Sequence, residues 1–336
     1  MTTSSGIAFL FPGQGSQKVG MGKALHDASK LAREVFEEAD SALSFSLSKL
    51  CFEGPEADLT LTANAQPAIL TTSIAALRVV QAETGLQPTV VAGHSLGEYS
   101  ALVAAGALSL TEAVRVVNAR GRFMQEAVAP GVGAMAAILG LEPAEVEAAC
   151  AEACAEIAGE IVSPANFNGG RQIVIAGHKR AVDRACVAAK ARGATRALPL
   201  AVSAPFHCQL MQPAALRLSV ELAKIQFRAP SVPVIANVDA APNTDGERVR
   251  PLLVQQVTAP VRWEQTIQRL DAMQVTRALE LGQGTVLAGL AKRITRNVVV
   301  QAAGDPTSIA ALTAPPADDA APSSTPQEPK EKQTDA

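Results

Sequence analysis

Thr89-Val-Val-Ala-Gly-His-Ser-Leu-Gly-Glu-Tyr-Ser-Ala-Leu-Val-Ala-Ala-Gly-Ala107 is the stretch on which the reading of this chain turns. Thr89 to Ala92 predicts a short buried strand and Glu98 to Ala107 a helix. Between them Gly93-His94-Ser95-Leu96-Gly97 is a tight turn of the form G-x-S-x-G. A strand, that turn and a helix together make a nucleophile elbow. The glycines let backbone pack closely around a strained turn. The serine hydroxyl then projects beside the first amides of the helix, where developing negative charge is favoured. An ordinary Gly/Ser turn is the competing reading of the pattern alone.

Upstream, Ile7 to Phe11 reads as a buried strand, followed by the Gly-rich loop Phe11-Pro-Gly-Gln-Gly-Ser-Gln17. A single helical run is expected from Lys18 to Leu43. The stretch from Leu61 reads as a loop and then a long apolar helix ending near Gly85. Leu110 to Val128 is a further helix. Residues 133–202 differ in character. The expected order is strand (133–141), helix (142–157), two strands (161–168 and 171–178) joined at Gly169-Gly170, helix (179–193) and strand (194–202). That βαββαβ order is the ferredoxin-like pattern. Strand–helix alternation on both sides marks it as an insert in a larger α/β unit. The expected organisation is therefore a large domain of residues 1–132 and 203–312, with the small subdomain 133–202 inserted. Beyond the insert, a strand at 232–238, a helix through Gln256, a strand at 276–282 and a helix at 286–295 are expected. From 313 to 336 the chain holds five prolines and no Val, Ile, Leu, Met or aromatic residue, so a disordered tail is expected.

The 336 residues are 48% hydrophobic and 18% charged, a globular composition that excludes wholesale disorder. No run approaches the ~20 apolar residues of a membrane span. The N-terminal MTTSSGIAFLFPGQG has no basic start and its apolar run stops at Pro12, so no secretory signal is read there. A net charge of −3 argues against a nucleic-acid binder. The five cysteines (Cys51, Cys150, Cys154, Cys186, Cys208) form no C-x-x-C pair and predict no metal site. Together these features predict a soluble, reduced, cytoplasmic protein, with a monomer as the default.

A serine nucleophile needs a base at neutral pH. His94 adjoins Ser95 and should point away from it, His26 sits in a polar helix and is expected at the surface, and His178 ends a strand of the insert. His207, in Ser203-Ala-Pro-Phe-His-Cys208, is the best base candidate by elimination, with a purely structural histidine as the alternative. The loop at Gln14 is neither a P-loop nor a dinucleotide fingerprint. Its backbone could meet a substrate oxygen, or it could be a plain turn.

FPGQGSQ, TANAQPA, GHSLGEYSALVAAG, ARGRFMQEA, SAPFH and the Q-x-x-x-P-x-x-W of Gln256 to Trp263 occur in that order. Together they resemble the malonyl-CoA:acyl carrier protein transacylase family over residues 6–312. The resemblance implies an α/β-hydrolase-like large domain with the ferredoxin-like insert. It implies that Ser95 is the nucleophile that becomes malonylated and His207 its base, oriented by a backbone carbonyl rather than an acid. Gln256 matches a glutamine near that histidine. The amides of Gln14 and Leu96 would form the oxyanion hole. Arg120 matches the arginine that grips the malonyl carboxylate, a task suited to the guanidinium fork. Gln66, Met124 and Phe206 match the pocket wall, and Phe206 should disfavour an α-methyl branch. The partners implied are malonyl-CoA and acyl carrier protein, with no cofactor, no metal, no nucleic acid and no membrane. Many family members carry Asn-Asn where this chain has Ala236-Asn237.

Lys179 to Arg196 holds six basic residues and one acid, a local charge of six minus one, or +5. It reads equally as a steering surface for the acidic carrier or coenzyme A, and as a solvated helix face. Three other functions stay open. A thioesterase would share the elbow, but its histidine normally follows an acid late in the chain, whereas here the chain runs on from His207 to Ala336. A non-catalytic carrier-binding module would need none of Ser95, His207 and Arg120. A polyketide acyltransferase would share all of the motifs.

Overall fold

The computed structural model describes residues 6–202 and 204–313. The expected tail lies outside the described residues except for Thr313, and so does Ser203. In chain order the elements are β1 (Ile7–Phe11), α1 (Lys23–Ala28), α2 (Lys30–Leu43), α3 (Leu47–Glu53), α4 (Glu56–Thr60), α5 (Thr62–Thr84), β2 (Val90–Gly93), α6 (Gly97–Ala104) and α7 (Leu110–Glu126). Next come β3 (Gly133–Leu139), α8 (Pro143–Glu156), β4 (Val162–Gly169), β5 (Gln172–His178), α9 (Lys179–Ala191) and β6 (Arg196–Pro199). The chain closes with α10 (Gln212–Leu222), β7 (Val234–Ile235), β8 (Pro242–Asn243), α11 (Gly246–Gln256), α12 (Trp263–Ala272), β9 (Arg277–Glu280), α13 (Val286–Ile294), β10 (Val299–Ala302) and α14 (Pro306–Ala310).

The chain is mixed α/β. Its larger sheet has the order β10-β9-β1-β2-β7-β8, parallel except for β8. Both faces are covered, which is why β1 is apolar throughout. Phe9 and Phe11 enter one core with α2, α5 and α7, while Ala8 and Leu10 enter another with Trp263, Ile267 and Leu287. Parallel strands send all their C-terminal ends to one edge. The loops after β1, β2, β7 and β9 therefore emerge together, where open α/β sheets bind ligands.

The second sheet, order β4-β5-β3-β6, is wholly antiparallel. Its residues alternate in the same way. Ile138, Ile173 and Ile175 pack under α8 and α9 in a core of their own. Met135, Ala137, Val174 and Ala176 face the main core. A parallel bridge pairs Asn166 with Val261 and ties the small sheet to the segment before α12.

Several sequence expectations need correction. The helical run from Lys18 divides into α1 and α2 at Ser29, which is extended at φ −126°. The strand expected over 232–238 shortens to Val234–Ile235, because Asn237 leaves the sheet to bond the elbow. Helices α3, α4, α12 and α14 and strand β10 lay outside the sequence reading. The loop expected before Pro67 is helical from Thr62. Proline leaves the carbonyl four residues back without its helical donor. That carbonyl, Ala63 O, accepts from Asn118 Nδ2 on α7 at 2.8 Å. A Cβ at Gly121 of α7 would collide with Thr62 O, so glycine there lets α5 and α7 approach closely. This approach brings Gln66 of α5 against Arg120 of α7.

Candidate active site

At the C-terminal edge of β2 the elbow forms as expected. Ser95 sits at φ 51°, a left-handed conformation that a non-glycine residue holds only when its surroundings enforce it. A Cβ on Gly93 would strike the Gly97 carbonyl group, and one on Gly97 would strike Phe11 O. Asn237 locks the turn: its Oδ1 accepts from Ser95 N at 2.7 Å and its Nδ2 donates to Gly93 O at 2.7 Å. The single asparagine of Ala236-Asn237 thus supplies the elbow contacts, and Ala236 is buried.

His207 reaches the elbow from the segment after the small sheet, also at positive φ (59°). Its Nε2 lies 2.7 Å from Ser95 Oγ, and its Nδ1 lies 2.9 Å from the backbone carbonyl of Gln256. A carbonyl can only accept, so the proton sits on Nδ1 and Nε2 is free to accept from the serine. Burial, together with the Arg120 charge, pulls the imidazole down to about 3. The ring is therefore neutral and ready as a base at neutral pH. The unfolded imidazole protonates near 6.5, so stability is full above that and is lost as pH falls toward 3. A histidine-selective NMR titration should show His207 neutral throughout about pH 5–8. A midpoint near 6.5 would contradict the buried neutral ring.

Arg120 is 1% exposed, and no carboxylate pairs with it among the described residues. Its Nη1 donates to Gln66 Oε1 at 2.8 Å, and its Nη2 donates to Gln256 Oε1 at 2.9 Å and to Ser95 Oγ at 3.2 Å. Its Nε is buried with no hydrogen-bond partner among the described residues. A buried cation held only by neutral acceptors is costly unless an anion completes it. Gln66 Nε2 rests 3.8 Å from Met124 Sδ. Met124, Phe206, Gln14 and Leu96 all line the same cleft of about 370 Å³, with Ser95, Arg120 and His207. The Gln14 side chain donates to Thr62 Oγ1 at 3.3 Å. Neither the Gln14 amide nor the Leu96 amide has a hydrogen-bond partner among the described residues. Every predicted site residue is thus brought to one place.

The sequence reading missed part of this site. Glu98, fully buried, accepts from Gln256 Nε2 at 2.7 Å and from Asn237 N at 2.9 Å. The available signal was a lone charge in an otherwise apolar helix. Asn168 on β4 meets His94 Nε2 at 2.9 Å, and the His94 ring lies 5.5 Å from that of Trp263. His94 thus diverges from Ser95, as expected. His26 is not simply exposed: it is half-buried against the Phe36 and Phe52 rings. The basic segment 179–196 is largely neutralised. Lys179 pairs with Asp183, Arg180 with Glu160, and Arg184 and Arg192 with acids of α8. These pairs favour a solvated helix face over a free steering surface.

The acyl transferase domain family matches residues 8–307. The chain belongs to this family. The malonyl CoA-acyl carrier protein transacylase of Escherichia coli (strain K12) is 51% identical over 305 residues, covering 91% of this chain and 98% of that protein. The solved malonyl CoA-acyl carrier protein transacylase of Coxiella burnetii superposes with a TM-score of 0.89 at 45% identity, covering 92% of this chain and 96% of that one. A malonyl-transacylase solved with a type II PKS acyl-carrier protein gives a TM-score of 0.88 at 47% identity, covering 91% and 98%. This acyl transferase domain carries its Ser–His pair and its buried arginine within one cleft.

Proposed function

We propose that this chain moves malonyl from malonyl-CoA to the phosphopantetheine thiol of acyl carrier protein through a malonyl-Ser95 intermediate, supplying fatty acid synthesis. The observation that carries the reading is the buried Arg120 guanidinium at 3.2 Å from Ser95 Oγ. A cation beside the nucleophile selects an acyl group with a carboxylate at its far end. Ser95 Oγ attacks the thioester carbonyl, its proton passes to His207 Nε2, and the C–S bond breaks. The same proton goes to the departing coenzyme A thiolate. The carrier thiol then attacks malonyl-Ser95, with His207 again as base. The Gln14 and Leu96 amides would receive the oxyanion, a role worth about 3–4 kcal/mol per donor. The nucleophile, base and oxyanion donors of this scheme are all groups of the chain, and the scheme calls for neither cofactor nor metal.

Gln66 seats Arg120, and Met124 and Phe206 wall the acyl pocket. Phe206→Ser should raise methylmalonyl against malonyl transfer by about 1–3 kcal/mol in relative kcat/KM. An unchanged ratio would remove Phe206 from the selectivity. The fold proposed is an α/β-hydrolase-like domain of residues 1–132 and 203–312 with a ferredoxin-like insert at 133–202. The order β4-β5-β3-β6 with α8 and α9 on one face supports it. Monomeric action is proposed because one chain supplies the whole site. A cytoplasmic setting is proposed from five free cysteines.

The test is the fate of malonyl-CoA with and without holo-acyl carrier protein. Carrier-dependent malonyl transfer with slow hydrolysis supports the reading, and rapid hydrolysis without carrier would replace it with a thioesterase. The structural neighbour solved with a type II PKS carrier gives the second reading, a polyketide pathway. Which carrier is loaded faster separates the two.

A further inference from the structure

Resting on the transacylase reading above, we propose that Glu98 is a positioning residue: its carboxylate sets which way the Gln256 amide faces, and through Gln256 it seats both Arg120 and His207. A primary amide can be turned end for end, so something must choose. An ionised carboxylate only accepts, and a guanidinium only donates. Gln256 lies between one of each. With Nε2 donating to Glu98 Oε2 at 2.7 Å, Oε1 must face Arg120 Nη2, which it meets at 2.9 Å. The second Nε2 proton goes to Ser95 O at 3.0 Å. The reversed amide would set donor against donor at Arg120 and acceptor against acceptor at Glu98. The backbone carbonyl of the same residue holds His207 Nδ1 at 2.9 Å. One glutamine therefore sets the base and the acyl-binding cation together, and Glu98 sets the glutamine.

Glu98 also accepts from Asn237 N at 2.9 Å, and the Asn237 side chain holds Ser95 N. The carboxylate thus joins the elbow helix α6, the turn after β7 and the end of α11. A buried carboxylate with neutral partners is costly to keep, and an apolar residue would stabilise the fold more cheaply. The charged and titratable groups around it are Arg120 from α7, Asp239 from the turn after β7, and Tyr99 from its own helix. Burial outweighs the Arg120 charge and the two hydrogen bonds, and pushes Glu98 up to about 7. His207 lies far below at about 3. On the proposed geometry, protonating Glu98 loosens Gln256, so Glu98 is expected to give serine acylation an acid limb near neutrality.

The experiment is rapid-quench mass measurement of malonyl-Ser95 formation from malonyl-CoA, from about pH 5.5 to 9, for wild type, Glu98→Gln and Glu98→Ala. Wild type should slow on the acid side with a midpoint near 7. Glu98→Gln keeps the shape without the charge, so it should show no such limb and match the slower acid-side wild-type rate. Glu98→Ala should acylate about 10²-fold more slowly, with a raised KM for malonyl-CoA. If the alanine variant does not fold, Glu98→Gln alone carries the test. A Glu98→Gln profile that keeps the wild-type limb and rate overturns the role of Glu98. No adduct on wild type at any pH overturns the transacylase reading instead.

Discussion

Replacing Ser95 by alanine lowers malonyl transfer by about 10⁴-fold or more and leaves the fold intact. The hydroxyl is the atom to which the acyl group attaches, and the cysteine beside His207 cannot take its place. Cys208, the nearest cysteine in sequence to His207, is buried and its Sγ bonds Pro205 O at 3.0 Å. Its thiol is pushed up to about 11 by burial, so it carries no thiolate at neutral pH. The small residual rate would come from donor binding and the oxyanion amides alone. The variant removes one side-chain oxygen from a position whose backbone is held by Asn237, so the elbow should keep its shape. Steady-state transfer to holo-acyl carrier protein, alongside thermal melting, reads both parts. A Ser95→Ala enzyme that still transfers at a tenth of the wild-type rate would end the covalent account.

The second large effect is at Arg120. Arg120→Ala should lower kcat/KM for malonyl-CoA by about 2–5 kcal/mol, the usual cost of removing one partner of a buried charge-assisted pair. The same variant should lose far less with acetyl-CoA, which has no far carboxylate. The preference between the two donors should therefore collapse or reverse. The acetyl donor is also the internal control for the contact between Arg120 and Ser95 Oγ, because that contact is lost with either donor. Arg120→Lys should recover only part of the loss. An ammonium is a point charge and cannot bond Gln66, Gln256 and a carboxylate at once as the fork does. Equal losses with both donors would show that Arg120 serves the nucleophile and not the acyl group.

Those two residues were legible in different ways. Ser95 stood out from local pattern, because an elbow needs glycines at fixed offsets and an apolar strand before it. The two sheets were legible because β1, β3 and β5 are short, nearly continuous apolar runs, as strands buried on both faces are. His207 was reached only by elimination among four histidines. Arg120 was indistinct from other helix arginines until family resemblance marked it, since burial depends on α5 and α7 closing at Gly121. The helix through Pro67 contradicted the local rule, because its compensation comes from Asn118, distant in sequence. Glu98 escaped for the same reason. Its partners, Asn237 and Gln256, come from segments more than 130 residues away, with separations of 139 and 158. The basic run 179–196 stayed open between two readings because the acids of α8 that pair with it are distant in sequence.

A covalent malonyl-serine is the central intermediate of the proposed reaction. The deciding measurement is the intact mass of wild-type protein after brief mixing with malonyl-CoA, followed by a chase with holo-acyl carrier protein. A single malonyl adduct, mapped to Ser95 and discharged onto the carrier thiol, is the predicted result. Malonyl transfer to the carrier without any adduct on Ser95 would contradict it.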